Sequence, residues 1–173
     1  MLPHPKCCLD ATAGTGRDTL FLCELAGEKG QVTAMDIQEK AIAQTKSRLE
    51  RSGYLDRVRL LLDGHEHMAD YFKPESLDLV MFNLGYLPGG DHKISTEAET
   101  TLQALDQSLV ILCKGGLLSL VVYSGGDSGF VERDAVLRWA KNLDSRQYLV
   151  IVEAFYNKGN HPPLPIFVLK LDI

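Results

Sequence analysis

Three aspartates and an asparagine each stand at the end of a short apolar run: Asp10 within Lys6–Thr12, Asp36 closing Gln31–Asp36, Asp63 directly after Arg57–Leu62, and Asn83 closing Leu77–Asn83. Behind the first comes a glycine-containing turn, Ala11-Thr12-Ala13-Gly14-Thr15-Gly16, and an amphipathic segment opens at about Arg17. The amides of such a turn, set before a helix, can meet an anionic group. The register is Gly14-x-Gly16-x-x-Thr19, so the third glycine of a dinucleotide fingerprint is replaced by threonine. Asp10 would repel a pyrophosphate and suits a ligand with cationic groups beside the turn. Asp36 stands where an acid bonds ribose hydroxyls, and Asp63 can accept from an adenine amino group. Turn and helix-cap chemistry accounts for many single acids of this kind. Three successive strands ending in an acid at one edge point instead to a ligand. S-adenosylmethionine has the matching groups: an ammonium, a sulfonium, a carboxylate and no phosphate.

The elements that must position these residues alternate. Runs of strand length are separated by helix-period segments, which predicts a parallel sheet with helices on both faces. A helix over Asp18–Ala26 carries Phe21, Leu22 and Leu25 on one face; another over Glu39–Arg51 carries Ile42, Thr45 and Leu49, with Gly53 at its C-terminal cap. A short helix is expected over His65–Tyr71. The capping box Thr96-Glu97-Ala98-Glu99 opens a helix running to about Cys113. Leu117–Tyr123 reads as the fifth strand and Phe130–Asn142 as a helix. Gln147–Tyr156 and Pro165–Leu171 are joined by a segment too short for a parallel crossover, so the chain is expected to finish in an antiparallel hairpin.

The 173 residues fit one domain, and the formal net charge of -5 gives no general attraction to nucleic acid, so an RNA partner needs a local basic patch. The four cysteines, Cys7, Cys8, Cys23 and Cys113, show no metal-site spacing and are expected as free thiols in a reducing cytoplasm. No metal is expected: His65 and His67 are two apart and lack a third ligand. The apolar stretches Ser108–Cys113 and Leu117–Tyr123 are too short to span a bilayer, and the start Met-Leu-Pro-His-Pro-Lys is too polar for a signal peptide. A cytoplasmic protein without membrane contact is expected.

Asn83 opens the loop Leu84-Gly85-Tyr86-Leu87-Pro88-Gly89-Gly90-Asp91-His92. Methyl transfer is a direct displacement, so an acceptor nitrogen must be neutral with its lone pair in line. An asparagine oxygen and a nearby backbone carbonyl can accept the amine's hydrogens and aim that lone pair, and Tyr86 can wall the pocket or stack on a base. The plain alternative is that Asn83 shapes the turn.

Asp10 to Gly16, Asp18-Thr19-Leu20-Phe21-Leu22, Asp36-Ile37-Gln38 and Asn83 to His92 together resemble the YtqB-like family, whose members are tRNA methyltransferases of the MnmM type. The resemblance continues through Ile94, Thr96, Tyr123 to Gly126 and Asn160 to Pro163. It implies a Rossmann-like class I methyltransferase fold, with a seven-stranded, mostly parallel sheet, an antiparallel C-terminal hairpin strand and helices on both faces. It implies one domain over 1–173, without the helix that family members usually carry before the first strand. The implied reaction is N-methylation of the 5-aminomethyl group of (2-thio)uridine at the tRNA wobble position, with S-adenosylhomocysteine as product. The tRNA anticodon stem-loop is the implied partner, and a homodimer is compatible. Cofactor positions are then Asp10, Ala11, Thr12, Gly14, Gly16, Asp18, Thr19, Asp36, Gln38, Asp63, Gly64, His65 and Asn83. Asn83 and Tyr86 are the catalytic pair, and Leu84, Gly85, Pro88, His92, Lys93, Thr96, Tyr123 and Asn160 surround the substrate. Thr15 and Arg17 depart from the asparagine and histidine usual in the family's glycine turn.

Lys93, Arg133, Lys158 and His161 are the candidate basic contacts for RNA, and Trp139 is expected in the core with Val136. Thr96 is also the helix N-cap of its box. Competing readings are a small-molecule amine or rRNA methyltransferase and, from another class, a dinucleotide-binding oxidoreductase or a nucleotide sensor.

Overall fold

A computed structural model describes residues 4–85, 98–123, 126–160 and 162–172; the side chains of 126–129 are outside the description. Seven strands, β1 (Cys7–Asp10), β2 (Gln31–Asp36), β3 (Val58–Leu62), β4 (Leu77–Leu84), β5 (Leu112–Val122), β6 (Tyr148–Val152) and β7 (Leu164–Lys170), form one sheet in the order β3-β2-β1-β4-β5-β7-β6. The helices are α1 (Arg17–Ala26), α2 (Glu39–Ser52), α3 (Ala98–Ile111) and α4 (Gly126–Lys141). All neighbours pair in parallel except β7, which is antiparallel to both β5 and β6. The expected hairpin is therefore present, with β7 inserted between β5 and β6.

Alternation along the strands builds two cores. Leu9, Val80, Phe82, Leu118, Leu120, Ile166 and Val168 pack on one side with Leu105 of α3 and Val136 of α4. Cys8, Val32 and Leu79 pack on the other with Leu22 and Cys23 of α1 and Leu49 of α2. The buried face of α1 is Thr19, Leu22, Cys23 and Ala26, whereas Phe21 is 50% exposed. This corrects the expectation for Phe21: the face turned to the sheet is the one through Thr19, Leu22, Cys23 and Ala26, which leaves Phe21 outside. Thr45 is buried on α2, as expected, but its hydroxyl has a polar task described below. Gly53 caps α2 in the left-handed conformation at φ 74°, a geometry that glycine adopts without the Cβ penalty.

Several boundaries differ from expectation: β6 ends at Val152 rather than Tyr156, and α4 begins at Gly126 rather than Phe130. The short helix expected after the third strand is present as a 3-10 helix, His65–Asp70. β5 begins at Leu112, which pairs with Leu77; the ladder resumes with Leu117 opposite Leu79, so the register shifts across Cys113 to Gly116. Trp139 lies against the core as expected, with Nε1–H donating to Asp106 Oδ1 at 2.8 Å. The four cysteines are free thiols, and burial pushes Cys8 up to about 12 and Cys23 up to about 11, far from nucleophilic thiolates. Among the described residues no helix is long and apolar enough to cross a membrane.

A candidate cofactor cradle at the carboxyl edge of the sheet

β1, β2, β3, β4 and β5 run parallel, so Asp10, Asp36, Asp63 and Asn83 arrive at one edge, as their spacing in the sequence suggested. Strand order reverses between β1 and β4, and open α/β sheets bind ligands at such a switch point. The Asn83 backbone N–H donates to Thr12 Oγ1 at 2.7 Å across this junction. The Asn83 side-chain Nδ2–H donates to Asp18 Oδ2, at the start of α1.

The turn after β1 is held from three sides. Gly14 N–H donates to Asp36 Oδ2 and Gln38 N–H to Asp36 Oδ1, each at 2.9 Å. Thr45 Oγ1–H donates to Gly14 O at 3.3 Å and Arg48 Nε–H to Thr15 O at 2.7 Å. Gly14 and Gly16 have φ of 54° and 75°, and a Cβ on Gly16 would lie 2.8 Å from Thr45 Cα. Gly16 thus meets two demands, left-handed backbone and close approach to α2. The expectation that the turn's amides serve the ligand needs correction at both glycines: the Gly14 N–H is on Asp36, and the Gly16 N–H is on Ala13 O at 2.8 Å. Their contribution is shape. From the sequence Thr45 was expected only on the apolar face of its helix and Arg48 was not singled out; that both reach the glycine turn depends on how α2 settles on the sheet.

Asp10 is 1% exposed. Thr19 Oγ1–H donates to its Oδ2 at 2.6 Å and Thr12 N–H to its Oδ1 at 3.2 Å. Burial is the chief cause that raises its carboxyl to about 7, against the lowering effect of Thr19. Asp10 and Thr19 therefore brace β1, α1 and the turn from beneath. Ala11 and Leu84, expected at cofactor and substrate, bury their side chains in the core because strand alternation turns them inward.

At β3 the arrangement inverts. Asp63 Oδ1 accepts from Gly64 N–H and His67 Nδ1, both at 2.8 Å, and Oδ2 accepts from Tyr71 O–H at 2.6 Å. The His67 and Tyr71 bonds hold Asp63 down at about 2. His65 turns its ring inward. Its ring stands edge-on to Phe82 at 5.6 Å, and burial lowers its pKa.

Leu84, Gly85 and Tyr123 meet at the ends of β4 and β5, where Tyr123 N–H donates to Leu84 O at 3.2 Å. Asn160 lies on the exposed β6–β7 connection at this edge, with φ 61°. Lys158 is exposed nearby, and Arg133 is half-buried on α4. Phe155 and Tyr156 on the same connection are 51% and 103% exposed, aromatic surface that the strand pattern hid. Tyr86, Pro88, His92, Lys93 and Thr96, together with His161, lie outside the described residues. Among the described residues no group of three His, Cys, Asp or Glu side chains could hold a metal ion.

S-adenosylmethionine fits what is built here. Asp36 keeps acceptor capacity beyond its two amides, and His65 Nε2 is buried with no hydrogen-bond partner, an orphaned polar atom beside the cradle. Fold and cradle together define a class I methyltransferase domain. The chain belongs to the family described as "Putative rRNA methylase", whose sequence pattern matches residues 32–169. A protein of that same description from Clostridium thermocellum is 45% identical, with a TM-score of 0.93 over 96% of this chain and 89% of its own. A methyltransferase structure from Streptococcus mutans, in complex with SAH (S-adenosylhomocysteine), is 38% identical, with a TM-score of 0.88 over 98% and 91%. The chloroplastic tRNA (mnm(5)s(2)U34)-methyltransferase of Arabidopsis thaliana is 38% identical over 95% of this chain. The matched region spans 63% of that plant protein.

Proposed function

We propose that this chain methylates the primary amine of a 5-aminomethyl group on the wobble uridine of tRNA. The observation that carries the reading is Asn83, at the β1/β4 switch point with its backbone fixed on Thr12, directly beside the cradle. S-adenosylmethionine, when bound, supplies a methyl carbon on a sulfonium that a neutral amine can attack. In this reading Asp36 accepts from the ribose hydroxyls while it holds Gly14 and Gln38. Gly64 and His65 wall the adenine side, in a turn that Asp63 orders. Asn83 accepts hydrogens from the acceptor amine, so that the lone pair faces the methyl group. No separate base is required, because the ammonium form loses its extra proton to water before reaction. Leu84 and Gly85 precede Tyr86, Pro88, His92 and Lys93 in the sequence, the residues proposed to contact the uridine. Phe155 and Tyr156 offer faces for unpaired bases, and Lys158 a phosphate contact, on a body whose net charge of -5 leaves RNA contact to local groups.

The test is mass spectrometry of digested tRNA bearing aminomethyluridine, after incubation with isotopically labelled S-adenosylmethionine. The expected result is one labelled methyl on that nucleoside. Cofactor binding without label in the tRNA would refute the substrate. Turnover of free amines with no salt-sensitive tRNA binding would instead indicate a small-molecule enzyme. Asn83→Ala is expected to lower turnover about 100-fold with cofactor affinity within about threefold, the signature of an interaction made in the transition state.

A further inference from the structure

A primary amide has two faces of nearly equal size and opposite hydrogen-bonding character: a carbonyl oxygen that accepts and an NH2 that donates. Sterics cannot choose between the two orientations, so a partner must. For Asn83 that partner is Asp18, the second residue of α1, whose Oδ2 accepts from Asn83 Nδ2. An ionised carboxylate only accepts, so it can meet the NH2 of Asn83 and not its oxygen. The Asn83 backbone is anchored on Thr12 at 2.7 Å, which holds the start of the side chain within reach of Asp18, and the bond to Asp18 then sets the amide. Its Oδ1 is thereby turned from Asp18.

We infer that Asp18 is a positioning residue that fixes the orientation of the Asn83 amide, so that its oxygen, and not its NH2, is presented to the acceptor amine. The inference rests on the proposed role of Asn83. The consequence for chemistry is large. A flipped amide would donate a hydrogen bond to the amine lone pair, the same electron pair that must attack the methyl carbon. A correctly set amide accepts an N–H and leaves the lone pair unengaged. Asp18 was expected among the cofactor contacts; its place in the structure gives it a partner on the substrate side. Burial raises its carboxyl while the Asn83 bond and Arg17 lower it, consistent with a half-buried charge matched to one donor.

Charge-swapped variants test this. Asp18→Asn removes the obligate acceptor and lets the amide pair exist in both orientations; single-turnover transfer at saturating cofactor and tRNA should fall about 10- to 100-fold. The dissociation constant for S-adenosylhomocysteine should stay within about threefold. Asn83→Asp alone sets two carboxylates face to face and should be at least as slow. The double variant D18N/N83D restores a donor at 18 and an acceptor at 83 whichever way the carboxylate turns. It should exceed either single variant by about tenfold. A double variant no faster than the singles, or an Asp18→Asn whose loss lies in cofactor affinity, overturns the inference.

A second measurement needs neither cofactor nor substrate. In the free, asparagine-labelled wild type, the Asn83 side-chain NH2 resonances should titrate with Asp18, and this titration should vanish in Asp18→Asn. A pair that does not titrate, in a protein that still methylates tRNA, overturns the inference alone. A titrating pair in a protein that leaves tRNA unmodified removes the functional reading, and the catalytic half of the inference with it.

Discussion

The turns after β1 and β3 both start from an aspartate at the same sheet edge, yet Asp10 and Asp63 live under opposite conditions. Asp10 is sealed beneath its turn with two donors, and burial pushes its carboxyl up to about 7. Asp63 stays near solvent with three donors, which pull it down to about 2. Topology decides where an acid stands; desolvation and donor count decide whether it is a braced core group or a surface anion. Asp36 lies between the two in the sheet and in circumstance, half-buried with two amides.

The first way to break this comparison is truncation. Asp10→Ala leaves the Thr19 hydroxyl and the Thr12 N–H buried without their acceptor and opens a cavity, a loss of about 3 kcal/mol. Asp63→Ala, at a site where water can replace the carboxylate, should cost about 1 kcal/mol or less. Urea unfolding of both variants reads the difference. Equal losses would mean that burial does not separate the two acids.

Cofactor binding sharpens the comparison next. Asp36→Ala both removes the proposed ribose acceptor and releases Gly14 and Gln38, so titration calorimetry should show affinity for S-adenosylhomocysteine weakened tenfold or more, about 1.4 kcal/mol at the least. Asp10→Asn should bind within about threefold of wild type, because Asp10 does not reach the surface. A large loss in Asp10→Asn with normal stability would place that side chain at the ligand after all.

The pH dependence of stability should carry opposite signs at the two acids. An unfolded aspartate titrates near 4, whereas folded Asp10 keeps its proton to about 7. Between those values the folded state binds more protons, so Asp10 makes stability fall as pH rises, by up to about 1.4 kcal/mol per pH unit, and level off above 7. The difference between wild type and Asp10→Asn, measured by urea unfolding from pH 4 to 8, should show that slope. A flat difference would show that Asp10 is ionised throughout.

Much of this edge was legible in the sequence because one pattern, apolar run followed by acid, repeats with the fold. β2 and the parallel order of the edge residues follow from it directly. Side-chain direction is less legible. Leu84 and Asn83 are neighbours, yet alternation sends one into the core and the other to the switch point. The spacing of Phe21, Leu22 and Leu25 could not say which apolar residue α1 would leave outside. Least legible were contacts between distant segments. Asp18 with Asn83, separated by 65 positions, and Thr45 with the glycine turn both depend on how helices settle on the sheet, which no local pattern encodes.

The smallest expected effect is at Asp63, where the sign reverses. Folded Asp63 is ionised down to about 2, below the unfolded value near 4. Between those limits the folded state binds fewer protons, so its contribution is fully present above about 4 and is lost as pH falls toward 2. Asp63→Asn should therefore remove part of the acid limb of the stability profile and change little at neutral pH. His67, whose pKa is raised chiefly by its bond to Asp63, should return toward an ordinary histidine in the same variant. An NMR titration of the His67 ring reads that directly. If it titrates unchanged in Asp63→Asn, hydrogen bonding is not what separates Asp63 from Asp10, and the low value would have to come from the surrounding field instead.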